Sequence, residues 1–279
     1  MTEQTLQTIG DLMEIVRAEE RQFGDRSKGI PLIWYRGHPS PDWELQPTVL
    51  RTWFIDLAEG VKPEWPAHLG QLGLEMAVNR EFRRRAASLL PTGASAVDTY
   101  FLAQHHGMPT RLLDWTTNPL AALFFTAAGA PNEDGAFYIL HPRDLIPKNP
   151  PGRERIYPPD VVDIRDPLVA QAVESLFTGE NWVEHPFILP IMPDLRTGRM
   201  LQQGSCFTLH MPPPVTDGRR PKEPAFSIAT ARKFVIPQPA KADLLVDLRR
   251  VGVNYATLFL DLDSIAREIR AAWGMKPSA

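Results

Sequence analysis

Cysteine is nearly absent from the chain, and so is any long apolar run. The one cysteine, Cys206, excludes an internal disulfide framework and a metal site built from several cysteines of one chain. No apolar stretch approaches the ~18 residues that a membrane-spanning helix needs, so we expect no membrane partner. The first twenty residues are acidic and amphipathic, and they lack the pattern of a signal peptide. These features predict a cytoplasmic protein.

The chain also lacks a strong bias of charge. Its formal net charge is -3, so bulk electrostatics disfavours a nucleic-acid partner, and a local basic patch would be needed to bind one. Proline, by contrast, is abundant, with 28 residues. This content is about twice the usual share, and it favours ordered turns and extended connections over an all-helical bundle.

The order of helix and strand patterns predicts a single α+β domain. Helices lie mainly in the N-terminal half, and the strands of a mixed or antiparallel sheet lie mainly in the second half. The chain shows no internal repeat and no low-complexity linker. We expect the central strands over 32–35, 136–140 and 205–210.

The segment "WYRGH" places a cation at the end of a predicted strand. Arg36 offers a planar set of donors that matches phosphate or carboxylate, and Gly37 allows a ligand to approach the backbone. This combination is typical of a pocket floor. The alternative is a salt bridge from Arg36 to Asp42 or Glu44, and for this segment taken alone that alternative is favoured.

Residues 102–128, "LAQHHGMPTRLLDWTTNPLAALFFTAA", crowd polar groups in front of an apolar helix. His105 and His106 point about 100° apart on a helix, so both do not bind one metal, and no metal site is predicted. We expect one histidine to face a site and the other to face solvent or the core. An ordinary hydrogen-bonding role is an equal alternative. Arg111 and Asp114 are interpreted as a structural ion pair that fixes the turn.

Thr116 and Thr117 precede Asn118, which is well placed to cap a helix that begins at Pro119. Hydroxyl and amide groups at a helix N-terminus can bind an anion or a sugar hydroxyl, and simple capping is the alternative. The helix over 119–128 is predicted to be core. Its expected buried side chains are Leu120, Leu123 and Phe124.

The segment "RTGRMLQQGSCFTLH" carries two glutamines before a glycine that opens an apolar strand. An amide donates and accepts at once, which suits ribose hydroxyls or a carboxamide ring substituent. Gln202 and Gln203 are therefore candidate binding residues. The alternative is a strand edge that faces water.

These motifs together resemble the FRG-domain family, which is named for its aromatic-Arg-Gly motif. "YRG" at Tyr35–Gly37 carries the name, and the Gln-His, Gly-x-Pro-Thr-Arg-Leu-Leu-Asp, Asn-Pro and "RMLQQGSCF" elements fit as well. The chain is identified as a member of this mostly bacterial family. The resemblance implies an N-terminal helix over 1–29, an FRG domain over 30–262, and a C-terminal helix and tail over 263–279.

A second resemblance is to the Arg-Ser-Glu class of ADP-ribosyltransferases. "WYRG" is similar to the first element of that class, "DWTTNPLAALFFTA" to the second, and "RMLQQG" stands in the third place. The resemblance implies a transferase-like fold, NAD as substrate and an acceptor macromolecule that the sequence does not name. It places Arg36 at the NAD phosphates or ribose, Thr116 at the nicotinamide ribose, and Gln202 or Gln203 at a ribose hydroxyl. The predicted catalytic residues are thus Thr116 and Gln203, with His105 as a compensating group, and the predicted NAD-binding residues are Tyr35, Arg36, Gly37, Thr117 and Gln202.

The segment "RMLQQG", which corresponds to the third element, departs from that class because it lacks a Glu-x-Glu motif. A carboxylate there stabilises the oxocarbenium ion that forms as nicotinamide leaves, and losing such a charge costs several kcal/mol. Asp114 or His105 can compensate, or the domain binds a nucleotide without transferring anything. A third hypothesis is a hydrolase or nuclease that uses His105 or His106 with Asp114. For an ADP-ribosyltransferase we expect a role in bacterial defence or toxicity.

Overall fold

Seven strands form one mixed sheet in the computed structural model, which describes residues 4–23, 32–50, 70–145, 161–180, 187–194, 198–211 and 228–275. The strand order is β4-β5-β6-β2-β1-β3-β7. The β4–β5 pair is parallel, and the other five pairs are antiparallel. The strands are β1 Trp34–His38, β2 Leu112–Thr116, β3 Gly135–Leu140, β4 Val162–Asp163, β5 Phe187–Met192, β6 Ser205–Met211 and β7 Arg232–Ile236.

The described residues also contain nine α-helices and two short 3-10 helices, Thr48–Leu50 and Pro142–Leu145. The α+β class is confirmed, with helices in both halves of the chain. No helix in the described ranges has the length and apolar character needed to cross a membrane. The α-helices are α1 Ile9–Phe23, α2 Gly70–Arg85, α3 Ala96–His105, α4 Pro119–Ala128, α5 Pro167–Thr178, α6 Gly198–Gln203, α7 Ala240–Arg250, α8 Tyr255–Phe259 and α9 Leu262–Ala272.

Two large apolar clusters hold helices on different parts of the sheet. The first joins α1, α4, α7 and α8 to strands β1, β3 and β7, and it includes Tyr35 of β1. The second joins α3 and α5 to strands β2, β4, β5 and β6, and it includes Leu112 of β2. A third cluster contains Trp34 of β1 together with Leu113 and Trp115 of β2, so these two neighbouring strands share a core as well.

The predicted strand over 32–35 is wrong in its bounds, because β1 runs from Trp34 to His38. It pairs with β3 along its whole length, from Trp34–Leu140 to His38–Ala136. This pairing fixes Arg36 in the middle of the strand, whereas the apolar pattern had placed it at the strand end. The continued hydrogen bonding to β3 carries the strand past the apolar residues.

Helix α4 forms as the sequence predicts. Asn118 caps it, because its side-chain Oδ1 accepts from the amides of Leu120 and Ala121. Leu123 and Phe124 are buried as expected. The prediction is wrong for Leu120, which is half-buried and packs at the margin of the first cluster.

Replacing Asn118 by alanine is expected to lower the free energy of unfolding by about 1 kcal/mol, because two helix-terminal amides lose their acceptor. Urea denaturation measures the change. Asn118→Asp is the matched control, since it keeps an acceptor of the same length and is expected to unfold close to wild type. Equal losses in both variants would show that the side chain matters for something other than capping.

Candidate functional site

A cleft opens where β1 and β2 separate. The two strands pair at one register point, Tyr35 with Thr116, and the ladder between them does not continue beyond it. The gap has a volume of about 500 Å³, within the range of about 300–1,000 Å³ that is typical of ligand pockets. Three stretches far apart in sequence line it: β1 with residues up to Thr48, the stretch from the end of α3 through β2 to α4, and helix α6 with the start of β6.

Most of the site residues that the sequence predicts meet in this cleft. Thr117 and Gln202 do not, because both side chains are exposed and lie outside the lining. What each residue does in binding or catalysis remains a prediction. The predicted residues in the lining are Tyr35, Arg36, Gly37, His105, Thr116 and Gln203.

Arg36 lies in the wall of the cleft with 16% of its side chain exposed. Its Nε donates to Nε2 of His38 over 2.7 Å, and Nδ1 of His38 lies 3.1 Å from the carbonyl oxygen of Trp43. One neutral tautomer of His38, with its proton on Nδ1, satisfies both contacts. The other end of the guanidinium reaches β2, where Nη1 donates to the backbone oxygen of Asp114.

The predicted ion pair between Arg111 and Asp114 is wrong. Arg111 is buried and pairs with Glu75 of α2, with Nη2 and Oε2 2.7 Å apart. Its Nε lies 2.8 Å from both carboxylate oxygens, and its backbone amide donates to the hydroxyl of Tyr100. Burial is the main reason that the pKa of Tyr100 is raised. Glu75 lies 36 residues away from Arg111, so no local pattern could indicate the pairing.

Asp114 is instead a cleft residue, with 59% of its side chain exposed. Its Oδ2 accepts from Nε2 of Gln104 over 2.9 Å and lies 4.0 Å from Nη1 of Arg36. The hydroxyl of Thr110 in turn donates to Oε1 of Gln104. The signal in the sequence is a charge in the centre of the apolar strand "LLDWT". The ion pair with Arg111 is the structural interpretation of that charge.

Thr116 and Gln203 are joined to each other and to the fold. The Thr116 hydroxyl donates to the carbonyl oxygen of Gln203 and accepts from the amide of Asn118 over 2.8 Å. Nε2 of Gln203 donates to the carbonyl oxygen of Leu258. Gln203 ends helix α6, so the alternative of a strand edge that faces water does not hold for it. The Asn118 cap also occupies the amides at the start of α4 that were expected to bind an anion.

Gly37 is needed for packing against α4. A Cβ at this position would lie 2.7 Å from the amide nitrogen of Thr126 and would contact the carbonyl oxygen of Ala122 more closely still. The missing side chain is therefore needed for the close approach of α4, and the approach of a ligand to the Gly37 backbone stays a prediction. The absence of a side chain sets the distance between β1 and α4.

The two histidines separate as expected. His105 lines the cleft, and His106 forms the exposed C-cap of α3. Burial, followed by the charge of Arg199, lowers the pKa of His105, while Asp114 opposes the shift. No hydrogen bond joins His105 to Asp114 in the described part of the chain, so the dyad of the hydrolase hypothesis is not formed. The described residues also contain no group of three His, Cys, Asp or Glu suited to a metal.

The His105 imidazole is expected to titrate below its ordinary pKa of about 6.5, because burial and Arg199 favour the neutral ring. The unfolded chain then binds more protons than the folded one as the pH falls through 6.5, so this group lowers stability on the acid side. Replacing Arg199 by methionine is expected to raise the pKa. Histidine NMR titration of both proteins measures it, and an unchanged midpoint in Arg199→Met would contradict this electrostatic contribution.

The cleft combines opposite charges with aromatic rings. Arg36 and Arg199 contribute two positive charges and Asp114 one negative charge, giving a formal balance of +1. Arg199 stacks over the ring of Phe259, with its guanidinium carbon 4.6 Å from the ring centroid. Aromatic side chains complete the walls: Tyr35, Trp43, Phe101, Trp115, Phe125 and Phe207.

Residues 32–135 match the family model of the FRG domain. The match includes Arg36, His105 and Asp114, whereas Arg199 and Gln203 lie beyond it. Its predicted extension over 30–262 stays a prediction. Comparisons with curated proteins and with solved structures give no match. The similarity to ADP-ribosyltransferases receives no support from these comparisons.

Proposed function

We propose that this FRG-domain protein binds an anionic nucleotide in the cleft between β1 and β2, with NAD as the expected ligand. The observation that carries the proposal is the convergence of polar groups from three distant stretches of the chain on one cleft. Each such group loses water when it is placed against apolar walls, so the arrangement gains little for folding alone. A ligand that forms hydrogen bonds with these groups would explain why they converge on one cleft.

The chemistry of the walls fits the parts of a dinucleotide. Arg36 and Arg199 offer guanidinium groups, which suit the paired oxygens of a pyrophosphate. The rings of Trp43 and Phe207, among others in the lining, offer surfaces on which flat bases stack. With a formal balance of +1 on the lining, the cleft favours a ligand whose net charge is negative.

We further propose that the bound NAD undergoes ADP-ribosyl transfer or hydrolysis. The bond between the nicotinamide nitrogen and C1′ of the ribose breaks, and the ring leaves with the electron pair. An acceptor oxygen or nitrogen, or water, attacks C1′ and loses a proton. Asp114 supplies the negative charge that stabilises the oxocarbenium ion, and the neutral His105 accepts the proton.

Calorimetric titration with NAD and ADP-ribose tests the binding step, and chromatography of released nicotinamide tests turnover. We expect both ligands to bind and nicotinamide to appear with time. Arg250→Ala is the matched control, because Arg250 is an exposed arginine of α7 outside this cleft. Failure of both ligands to bind the wild-type protein would overturn the proposal.

A nucleotide-binding module without turnover is the second candidate. It is favoured by the state of Thr116 and Gln203, since the hydroxyl of one and the side-chain amide of the other are hydrogen-bonded within the fold. Groups held in this way stabilise the cleft, and their donors and acceptors are less available for catalysis. Tight binding of NAD with no release of nicotinamide would favour this candidate over the transferase.

A further inference from the structure

We infer that the cleft prefers the oxidised over the reduced dinucleotide, and that the carboxylate of Asp114 sets this preference. The inference rests on the proposed function, since it names the form of NAD that the same site accepts. The oxidised nicotinamide ring is a cation, whereas the reduced ring is neutral. The remainder of the two molecules is the same, so one charge distinguishes them.

The position of Asp114 is unusual for a charged residue. It is the central residue of β2, which lies between β6 and β1 in the seven-stranded sheet. The four other residues of this strand are buried, and Asp114 alone among them is exposed. An exposed carboxylate in the interior of a sheet requires an opening above it, and the cleft is that opening.

The carboxylate is held in a fixed orientation. A chain of two hydrogen bonds runs from the buried Thr110 through Gln104 to Oδ2 of Asp114. Gln104 uses its carbonyl oxygen on Thr110 and its NH2 group on Asp114, so a flipped amide would turn its oxygen towards the carboxylate and lose the bond to Asp114. The second oxygen, Oδ1, has no hydrogen-bond partner among the described residues. One carboxylate oxygen is thus left for a ligand.

The neighbouring cation does not cancel this charge. Nη1 of Arg36 lies 4.0 Å from Oδ2, and an ion pair at that separation with an exposed carboxylate is weak. A bound pyrophosphate would also draw on the charge of Arg36. The binding of phosphates therefore increases the net negative field at Asp114, and a cationic ring within the same ligand is the group that compensates it.

The cleft contains charges of both signs, so the direction of the preference shows which sign acts on the nicotinamide ring. The reduced dinucleotide carries one more net negative charge than the oxidised form, so Arg36 and Arg199 alone would favour the reduced form. A carboxylate about 4 Å from the ring reverses this order, with a gain of about fivefold in affinity at the dielectric constant of water. Because the two arginines oppose the carboxylate, we expect the oxidised form to bind more tightly than the reduced form by at most about fivefold.

Calorimetric titration with NAD⁺, NADH and ADP-ribose tests the inference on the wild-type protein, Asp114→Asn and the control Asp247→Asn. Asp114→Asn keeps the shape of the side chain and removes its charge, and it is expected to lose the preference or reverse it. Asp247 is an exposed carboxylate on α7, outside the cleft lining, so its variant is expected to keep the wild-type preference. A thermal melt shows that each variant is folded.

Equal affinities for NAD⁺ and NADH, or a preference for NADH, in the wild-type protein would overturn the inference and leave the proposed function standing. A preference that persists in Asp114→Asn would overturn the assignment to this residue. If none of the three ligands binds the wild-type protein, the proposed function itself fails. A variant of the positioning residue, Gln104→Met, is expected to weaken the preference without abolishing the binding of ADP-ribose.

Discussion

Replacing Glu75 by glutamine is expected to lower the free energy of unfolding by about 3–5 kcal/mol, because it leaves the buried charge of Arg111 without its counter-ion. Both side chains are almost fully buried. Glutamine has nearly the same volume as glutamate, so the loss reports the missing charge and its hydrogen bonds and contains little contribution from a cavity. The pair joins α2 to the residue that precedes β2.

Urea denaturation of Glu75→Gln beside Glu81→Gln measures this effect. Glu81 lies on the same helix and pairs with Arg84 and Arg85, but this pair is exposed. Its loss is expected to change stability far less than the loss of the buried pair. A similarly small loss in Glu75→Gln would mean that the buried pair does not hold α2 against the sheet.

Replacing Arg36 by alanine is expected to weaken the binding of NAD and of ADP-ribose by about 10- to 100-fold, since one or more charge-assisted hydrogen bonds to phosphate are lost. Adenosine, which has no phosphate, is expected to show a much smaller change in its own affinity. Calorimetric titration with the three ligands measures the losses.

Arg36 also contacts His38 and the backbone of Asp114, so the fold of the variant needs a control. Arg36→Lys keeps the positive charge but not the planar set of donors. It is expected to stay folded in a thermal melt and to bind with intermediate affinity. If a folded Arg36→Ala protein binds ADP-ribose as tightly as wild type, Arg36 does not contact the ligand.

The parts of the fold that the sequence predicts correctly are those that neighbouring residues determine. Helix α4 follows from Asn118, Pro119 and the apolar run after them, because cap, first turn and buried face lie within one segment. The class of the fold follows from the order of the patterns in the same way. Leu120 is the exception in α4, since its burial depends on how the helix sits on the sheet.

The partners of charged residues could not be predicted, because they come from distant segments. Arg111 and Asp114 are close in sequence and of opposite charge, so their pairing was the expected interpretation. In the structure α2 brings Glu75 to Arg111, and β1 brings Arg36 to Asp114. The separation of β1 and β2 creates the opening that exposes Asp114, and no pattern within either strand indicates that separation.

The sequence predicts which residues form the candidate site better than it predicts the hydrogen bonds among them. Arg36, His105, Thr116 and Gln203 meet in one cleft, as their polar character next to apolar segments suggested. The hydrogen bonds of Thr116 to Gln203 and to Asn118 depend on where α6 packs, which the sequence does not specify. The sequence therefore indicates which residues line the cleft and leaves open which groups face a ligand.

The central claim is that an anionic nucleotide binds between β1 and β2, and a structure of the protein with ADP-ribose tests it most directly. ADP-ribose has no bond to nicotinamide, so it stays intact whether or not the protein is an enzyme. We expect its pyrophosphate within hydrogen-bond distance of the Arg36 guanidinium and its ribose beside Asp114. ADP-ribose bound elsewhere on the protein, or a cleft left empty at a saturating concentration, would contradict the account.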